Sequence, residues 1–148
     1  MTEMMNDLDL INAELAGGQG PRNAFGRDVQ PGDDLTGTII AAERRHRTVD
    51  GQPLYWVDRK PSTIQAGPAV MDSTLIIQTD TTDDEDDDGQ RYLRLDRDVK
   101  KALTTALAAA GVKGVAIGGR IEGFTYLGKE STGPGRRYDG GTYTPPAA

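Results

Sequence analysis

Cysteine is absent from this chain, histidine and tryptophan occur once each, and aromatic residues make up only 5% of it. Without thiols, neither a disulfide framework nor a thiolate metal site can form. No apolar run approaches the roughly 20 residues that a membrane-crossing helix needs, and no signal peptide or lipidation motif appears. The expected compartment is therefore the cytoplasm, with no membrane partner.

Catalytic patterns are missing as well. The one histidine, His46, stands between Arg45 and Arg47, whose positive field opposes a further cation and makes it a poor general base. Ser62, Ser73 and Ser131 have no nucleophile elbow around them. No phosphate-binding loop exists, and Gly17-Gly18-Gln19-Gly20 follows no strand, so it reads as a hinge. The expectation is a non-enzymatic protein without cofactor or metal.

What the chain does hold is a clear helix. Over Asp98–Ala110, Val99, Ala102, Leu103, Ala106, Leu107 and Ala110 recur at three- and four-residue steps and form one apolar stripe. Lys100, Lys101, Thr104 and Thr105 lie off it. Asp96 or Asp98 suits the N-cap, and Gly111 suits the left-handed stop. The other apolar runs are short and β-like: Leu35–Ala42, Ala69–Thr79, Gln90–Asp96, Arg120–Leu127 and, weakened by Gly140 and Gly141, Arg136–Thr144. Gly37 marks a bend or a close backbone approach in the first strand, whose charged end, Glu43 to Arg47, should project from the sheet.

Three strands, a helix and two strands is the order of the OB-fold, a five-stranded Greek-key barrel with its helix between strands 3 and 4. The predicted division is a flexible N-terminal arm over 1–30, the barrel over 31–144 with an acidic loop at 80–88, and a tail at 145–148. Within the arm, Leu8, Ile11, Leu15 and Phe25 have the alternative of docking on the domain or on a second copy. Residues 48–68, rich in glycine and proline, read mostly as loop.

The net charge of −6 is concentrated. Asp80, Asp83, Asp84, Glu85, Asp86, Asp87 and Asp88 hold seven of the 23 acids, and the remaining 16 face 17 bases. Basic clusters are thus compatible with an acidic chain. Asp84, Asp86, Asp88 and Gly89 match four positions of a calcium loop, but its bidentate glutamate position falls on Leu95. A solvated, self-repelling connector is the simpler reading; mimicry of nucleic acid is the sharper one.

Cations interleave with aromatics in three places: Arg44, Arg45 and Arg47; Tyr55, Trp56, Arg59 and Lys60; and Arg91, Tyr92 and Arg94. An OB-fold makes these neighbours, so that flat rings can stack on unpaired bases while cations meet phosphates. The alternative is that Tyr55 and Trp56 fold back over the barrel and the arginines are ordinary surface.

Pro31-Gly32-Asp33-x-Leu35-x-Gly37-x-Ile39, Gly51-x-Pro53-x-x-Trp56-x-Asp58, Gln78-Thr79-Asp80 with its acidic run and Asp88-Gly89 follow one another in a distinctive order. So do Lys100-Lys101-Ala102, Ala110-Gly111-Val112-Lys113-Gly114 and Tyr143-Thr144-Pro145-Pro146. Over residues 25 to 146 the chain resembles OB-fold single-stranded DNA-binding proteins of actinobacteriophages. The family's aromatic-Trp pair corresponds to Tyr55-Trp56, and its following Asp-Gly to Asp58-Arg59, a departure that adds charge. The resemblance implies a phage replication or recombination protein in the host cytoplasm that coats single strands without sequence preference. Possible partners are further copies of itself and replication or recombination proteins. Alternatives are a protein-interaction module that uses the acidic loop without nucleic acid, and an RNA-binding OB domain on the same surface.

Overall fold

A computed structural model describes residues 21–133 and 135–147. The helical pattern through Leu8, Ile11 and Leu15 and the glycine hinge at 17–20 lie outside these residues. Among the described residues the protein is mainly β, with one helix packed against a curled, half-barrel sheet.

The strands are β1 (Arg22–Asn23), β2 (Asp34–His46), β3 (Thr48–Val49), β4 (Gln52–Pro53), β5 (Tyr55–Val57), β6 (Lys60–Ser62), β7 (Met71–Thr79), β8 (Gln90–Arg94), β9 (Arg120–Lys129), β10 (Arg136–Asp139) and β11 (Thr142–Thr144). The main sheet runs β1-β8-β7-β2-β9-β10, with β11 also paired to β9. All its pairings are antiparallel except β1 with β8. The helix, Arg97–Ala109, joins β8 to β9.

The helix forms where its periodicity predicts. The Asp96 side chain accepts from the Val99 N–H at 2.9 Å, and Gly111 takes φ 74° just beyond the end. Val99, Ala102, Leu103, Ala106 and Leu107 are buried; Ala110, the last residue of the predicted stripe, is exposed. They meet a core of Leu35, Ile39, Ile77, Leu93, Ile121 and Phe124 from the inner side of the sheet. Each such side chain taken fully out of water contributes roughly 1.5–3 kcal/mol.

Two glycines permit this packing. In β2 the register slips between Leu35 and Gly37, and a Cβ on Gly37 would run into the Gln78 carbonyl, so the bend and the close approach coincide. Gly140, between β10 and β11, lies against the Ala102 carbonyl of the helix, where a Cβ would collide. The weak strand at 136–144 is thus two short strands with the helix seated at the break.

The sheet is not closed among the described residues, since β8 and β10 do not pair. Residues 22–26 bridge that gap. Ala24 N–H donates to Tyr92 O at 3.0 Å, and the Arg136 guanidinium donates to the carbonyls of Phe25 and Gly26. Phe25 is buried, with its ring 5.7 Å from that of Phe124 and 5.2 Å from that of Tyr138. Of the predicted arm, Phe25 therefore docks on the domain, and this part of the chain belongs to the core.

Two further expectations are corrected. The charged end of β2 stays in the sheet, with Glu43 to His46 in register with Thr74 to Met71, because β7 extends far enough to pair it. Residues 48–62 are not loop but two small hairpins, β3–β4 and β5–β6, each turning on two residues of positive φ: Asp50-Gly51 and Asp58-Arg59. The type I′ turn they form favours Asp-Gly, as at the first; Arg59 stands where the second would take glycine.

Candidate nucleic-acid interface

Residues directly opposite in an antiparallel pair share a face, so the register decides which side chains meet. Tyr92, Ile76 and Ala41 lie in one row across β8, β7 and β2; Arg94, Thr74 and Glu43 lie in the next; Asp72 and Arg45 follow. All are on the face away from the helix and core. All but Arg94 line a groove of about 770 Å³ together with Ile40, His46, Arg47 and Gln90.

Arg47 and Arg94 converge on Asp72 at the end of this groove. Arg47 donates from Nε and Nη2 to Asp72 Oδ1 at 3.0 and 2.7 Å, and Arg94 Nη2 reaches the same oxygen at 3.2 Å. The Arg47 hydrogen bonds hold the Asp72 carboxyl below the usual carboxylate range. One carboxylate thus serves two guanidiniums, leaving net positive charge at a half-exposed position. The Arg45 side chain is 80% exposed, and among the described residues its one ion pair is with Glu43 at 3.7 Å.

Beyond Asp72 the surface turns into a second groove, about 690 Å³, between the β5–β6 hairpin and the polar side of the helix. Arg47 and Asp72 line both grooves, and Arg94 lines the second. Trp56 stands in the second, 39% exposed, because in β5 it alternates outward between Tyr55 and Val57. Met71 and Leu95 lie near it, and Arg97, Lys100 and Lys101 come from the helix.

The candidate residues therefore fall into groups. Arg45, Arg47, Tyr92, Arg94 and Trp56 are brought to one continuous surface. Arg59 and Lys60 are exposed at the tip of the β5–β6 hairpin and line neither groove. Arg44, opposite Ser73, is on the other face of β2 from Arg45. Tyr55 is half-buried, edge-on to His46 at 5.1 Å between ring centres, while His46 Nε2 donates to Leu54 O at 2.6 Å. That packing holds Tyr55 against the sheet instead of presenting its ring.

Arg91 differs most from expectation. It shares the inner face with Leu93, is 9% exposed, and makes a two-pronged ion pair with Asp87 at 2.8 and 2.6 Å. Asp83 adds a bond at 3.1 Å. A guanidinium so enclosed is not available to phosphate. Nor is the acidic loop simply a solvated connector. The Asp87 carboxylate also accepts from the Asp83 and Gly89 N–H groups, and Asp84 pairs with Arg22 at 3.0 Å. Asp80 pairs with Arg120. The Arg91 hydrogen bonds, aided by the backbone donors, hold the Asp87 carboxyl well below the usual range. Among the described residues no group of three or more His, Cys, Asp or Glu is arranged to hold a metal.

Arg97, Lys100 and Lys101 are the site residues that sequence reasoning missed. Their helical spacing put the lysines on the solvent side, but nothing in that spacing says what the solvent side overlooks. Comparison with family models, with curated proteins and with solved structures gives no match to this chain. No helix among the described residues is long and apolar enough to cross a membrane.

Proposed function

We propose that this protein is an OB-fold barrel that binds single-stranded DNA without sequence preference, in phage replication or recombination as the resemblance implies. The observation that carries the reading is the gathering of Arg45, Arg47, Arg94 and Tyr92 on one sheet face beside the exposed Trp56, in a chain of net charge −6. The guanidiniums neutralise phosphates, and Trp56 and Tyr92 offer flat faces to unpaired bases. Duplex DNA, whose bases are already stacked, gains nothing from them. The strand sequence β2, β7, β8, helix, β9, β10/β11 and the pairing order β8-β7-β2-β9-β10 support the OB-fold assignment. Binding is by contact and displacement of counterions, with no bond made or broken.

One observation favours the interaction-module reading. Asp84 and Asp87 anchor the acidic loop, so Glu85, Asp86 and Asp88 are presented to solvent on an ordered frame. The two readings part in a fluorescence titration of Trp56, the sole tryptophan, with a dT oligonucleotide, accompanied by anisotropy of a labelled strand. The DNA reading expects quenching that weakens with salt and is absent with a duplex of equal length. No change in either signal sinks it and leaves the acidic loop as the binding element. A ribose strand of equal sequence tests the RNA alternative.

A further inference from the structure

The second groove is built differently from the sheet face, because the helix adds cations to it. Arg97, Lys100 and Lys101 fall in the first turn and a half of the helix. That is the positive end of the helix dipole, where cations are disfavoured and acids preferred. Two acids partly offset them: Asp96, the N-cap, lines the groove, and Asp98 lies 3.8 Å from Arg97. Lys100 and Lys101 are exposed and make no ion pair among the described residues. Across the groove stands Trp56, a large ring left 39% exposed. Cations massed against the dipole and facing an open aromatic ring suit a ligand with repeated anionic groups and flat apolar parts.

We propose that this groove is a second single-strand subsite, continuous with the sheet-face groove through Arg47 and Asp72, so that one DNA strand crosses Asp72 and runs on between Trp56 and the helix. This rests on the DNA-binding reading. Trp56 stacks a base, Arg97 meets one phosphate and Lys100 and Lys101, about one helical turn (5.4 Å along the axis) further on, meet the next ones, and Arg47 serves both subsites. The helix thereby becomes part of the binding surface and not only the plug of the core.

The test uses the full chain and a ladder of labelled dT oligonucleotides of increasing length, with wild type, Lys100→Glu/Lys101→Glu and the milder Lys100→Gln/Lys101→Gln. Wild-type affinity should climb with length until both grooves are filled. The glutamate variant should level off at a shorter length, bind the longest strand about tenfold or more weakly, and show a log–log salt slope shallower by about 1.4 for two lost contacts. Its melting temperature should be unchanged or higher, because acids suit this end of the helix; a merely structural role would lower stability and binding together. The glutamine variant should fall between the two. Length dependence and affinity equal to wild type in both variants would overturn the second subsite while leaving the sheet-face reading intact. A wild type that binds no strand of any length would overturn both.

Discussion

At the acidic-loop end of the sheet, charges face one another and the fold buries one pair, Arg91 with Asp87; across the outer face of β2, β7 and β8, they face solvent. Arg91 and Arg94 show the difference within one short strand. Three residues apart, they point to opposite faces: Arg91 inward to Asp87, and Arg94 outward to a carboxylate it shares with Arg47, with its side chain 56% exposed. Asp87 has a dedicated partner and two backbone donors, whereas Asp72 is divided between two cations. What a charge does here follows from the parity of its position in the strand and not from the charge density around it in sequence.

The comparison breaks first at Asp87. Asp87→Asn removes half of the enclosed pair and leaves Arg91 under-compensated, so we expect the largest loss of stability of these variants, on the order of 10 °C in melting temperature, with little direct change in DNA affinity. A thermal melt together with a dT binding isotherm checks both. The pH dependence carries the same signature. Because the folded Asp87 carboxyl lies below its ordinary value of 3.8, the pair's contribution is complete above that pH and is lost as the pH falls below it. Wild type should lose stability on acidification below pH 3.8 more steeply than Asp87→Asn; parallel curves would dissociate the pair from the fold's stability.

Trp56→Ala should act in the opposite sense. It leaves the melt nearly unchanged and weakens single-strand binding by ~1–3 kcal/mol; full-strength binding by the folded variant would remove the stacking role.

Much of this contrast was legible in the chain. The helix, its Asp96 cap and its Gly111 stop follow from local spacing, and the alternation of Gln90 to Asp96 already separates Tyr92 and Arg94 from Leu93. By the same alternation Arg91 belongs with Leu93, but only the acidic loop folding back makes that position a place for a guanidinium. Such a contact depends on tertiary closure of the loop, which charge counting reads as repulsion. Residues 48–62 divide: Asp50-Gly51 carries the first turn's signature in the sequence, but at Arg59 φ 67° falls on a residue type that rarely adopts it, so the second turn's chemistry was hidden. The docking of Phe25 is equally non-local, because the gap it fills exists only once β8 and β10 are apart.

A gentler probe of the loop neutralises its exposed acids and spares its anchors. Glu85→Gln/Asp86→Asn/Asp88→Asn should leave the melt close to wild type and tighten single-strand binding a few-fold at low salt, an effect that fades as salt screens it. Capture of a basic protein partner lost in this variant, with DNA binding absent throughout, would favour the interaction module instead. Smallest of all is the hairpin tip. Arg59→Gly relieves a left-handed residue and should stabilise the fold by roughly 1 kcal/mol. If Arg59 contributes a phosphate contact, its loss should flatten the salt slope by about 0.7.

The most direct measurement is the salt dependence of dT oligonucleotide binding by wild type and by Arg45→Ala/Arg94→Ala. Both side chains lie on the outer sheet face and neither is in the core. The account predicts clear wild-type binding that falls linearly on a log–log plot, with a slope shallower by about 1.4 in the double variant at an unchanged melting temperature. An identical slope and affinity in the two proteins, or no binding by either, would contradict the assignment of this face to the phosphate backbone.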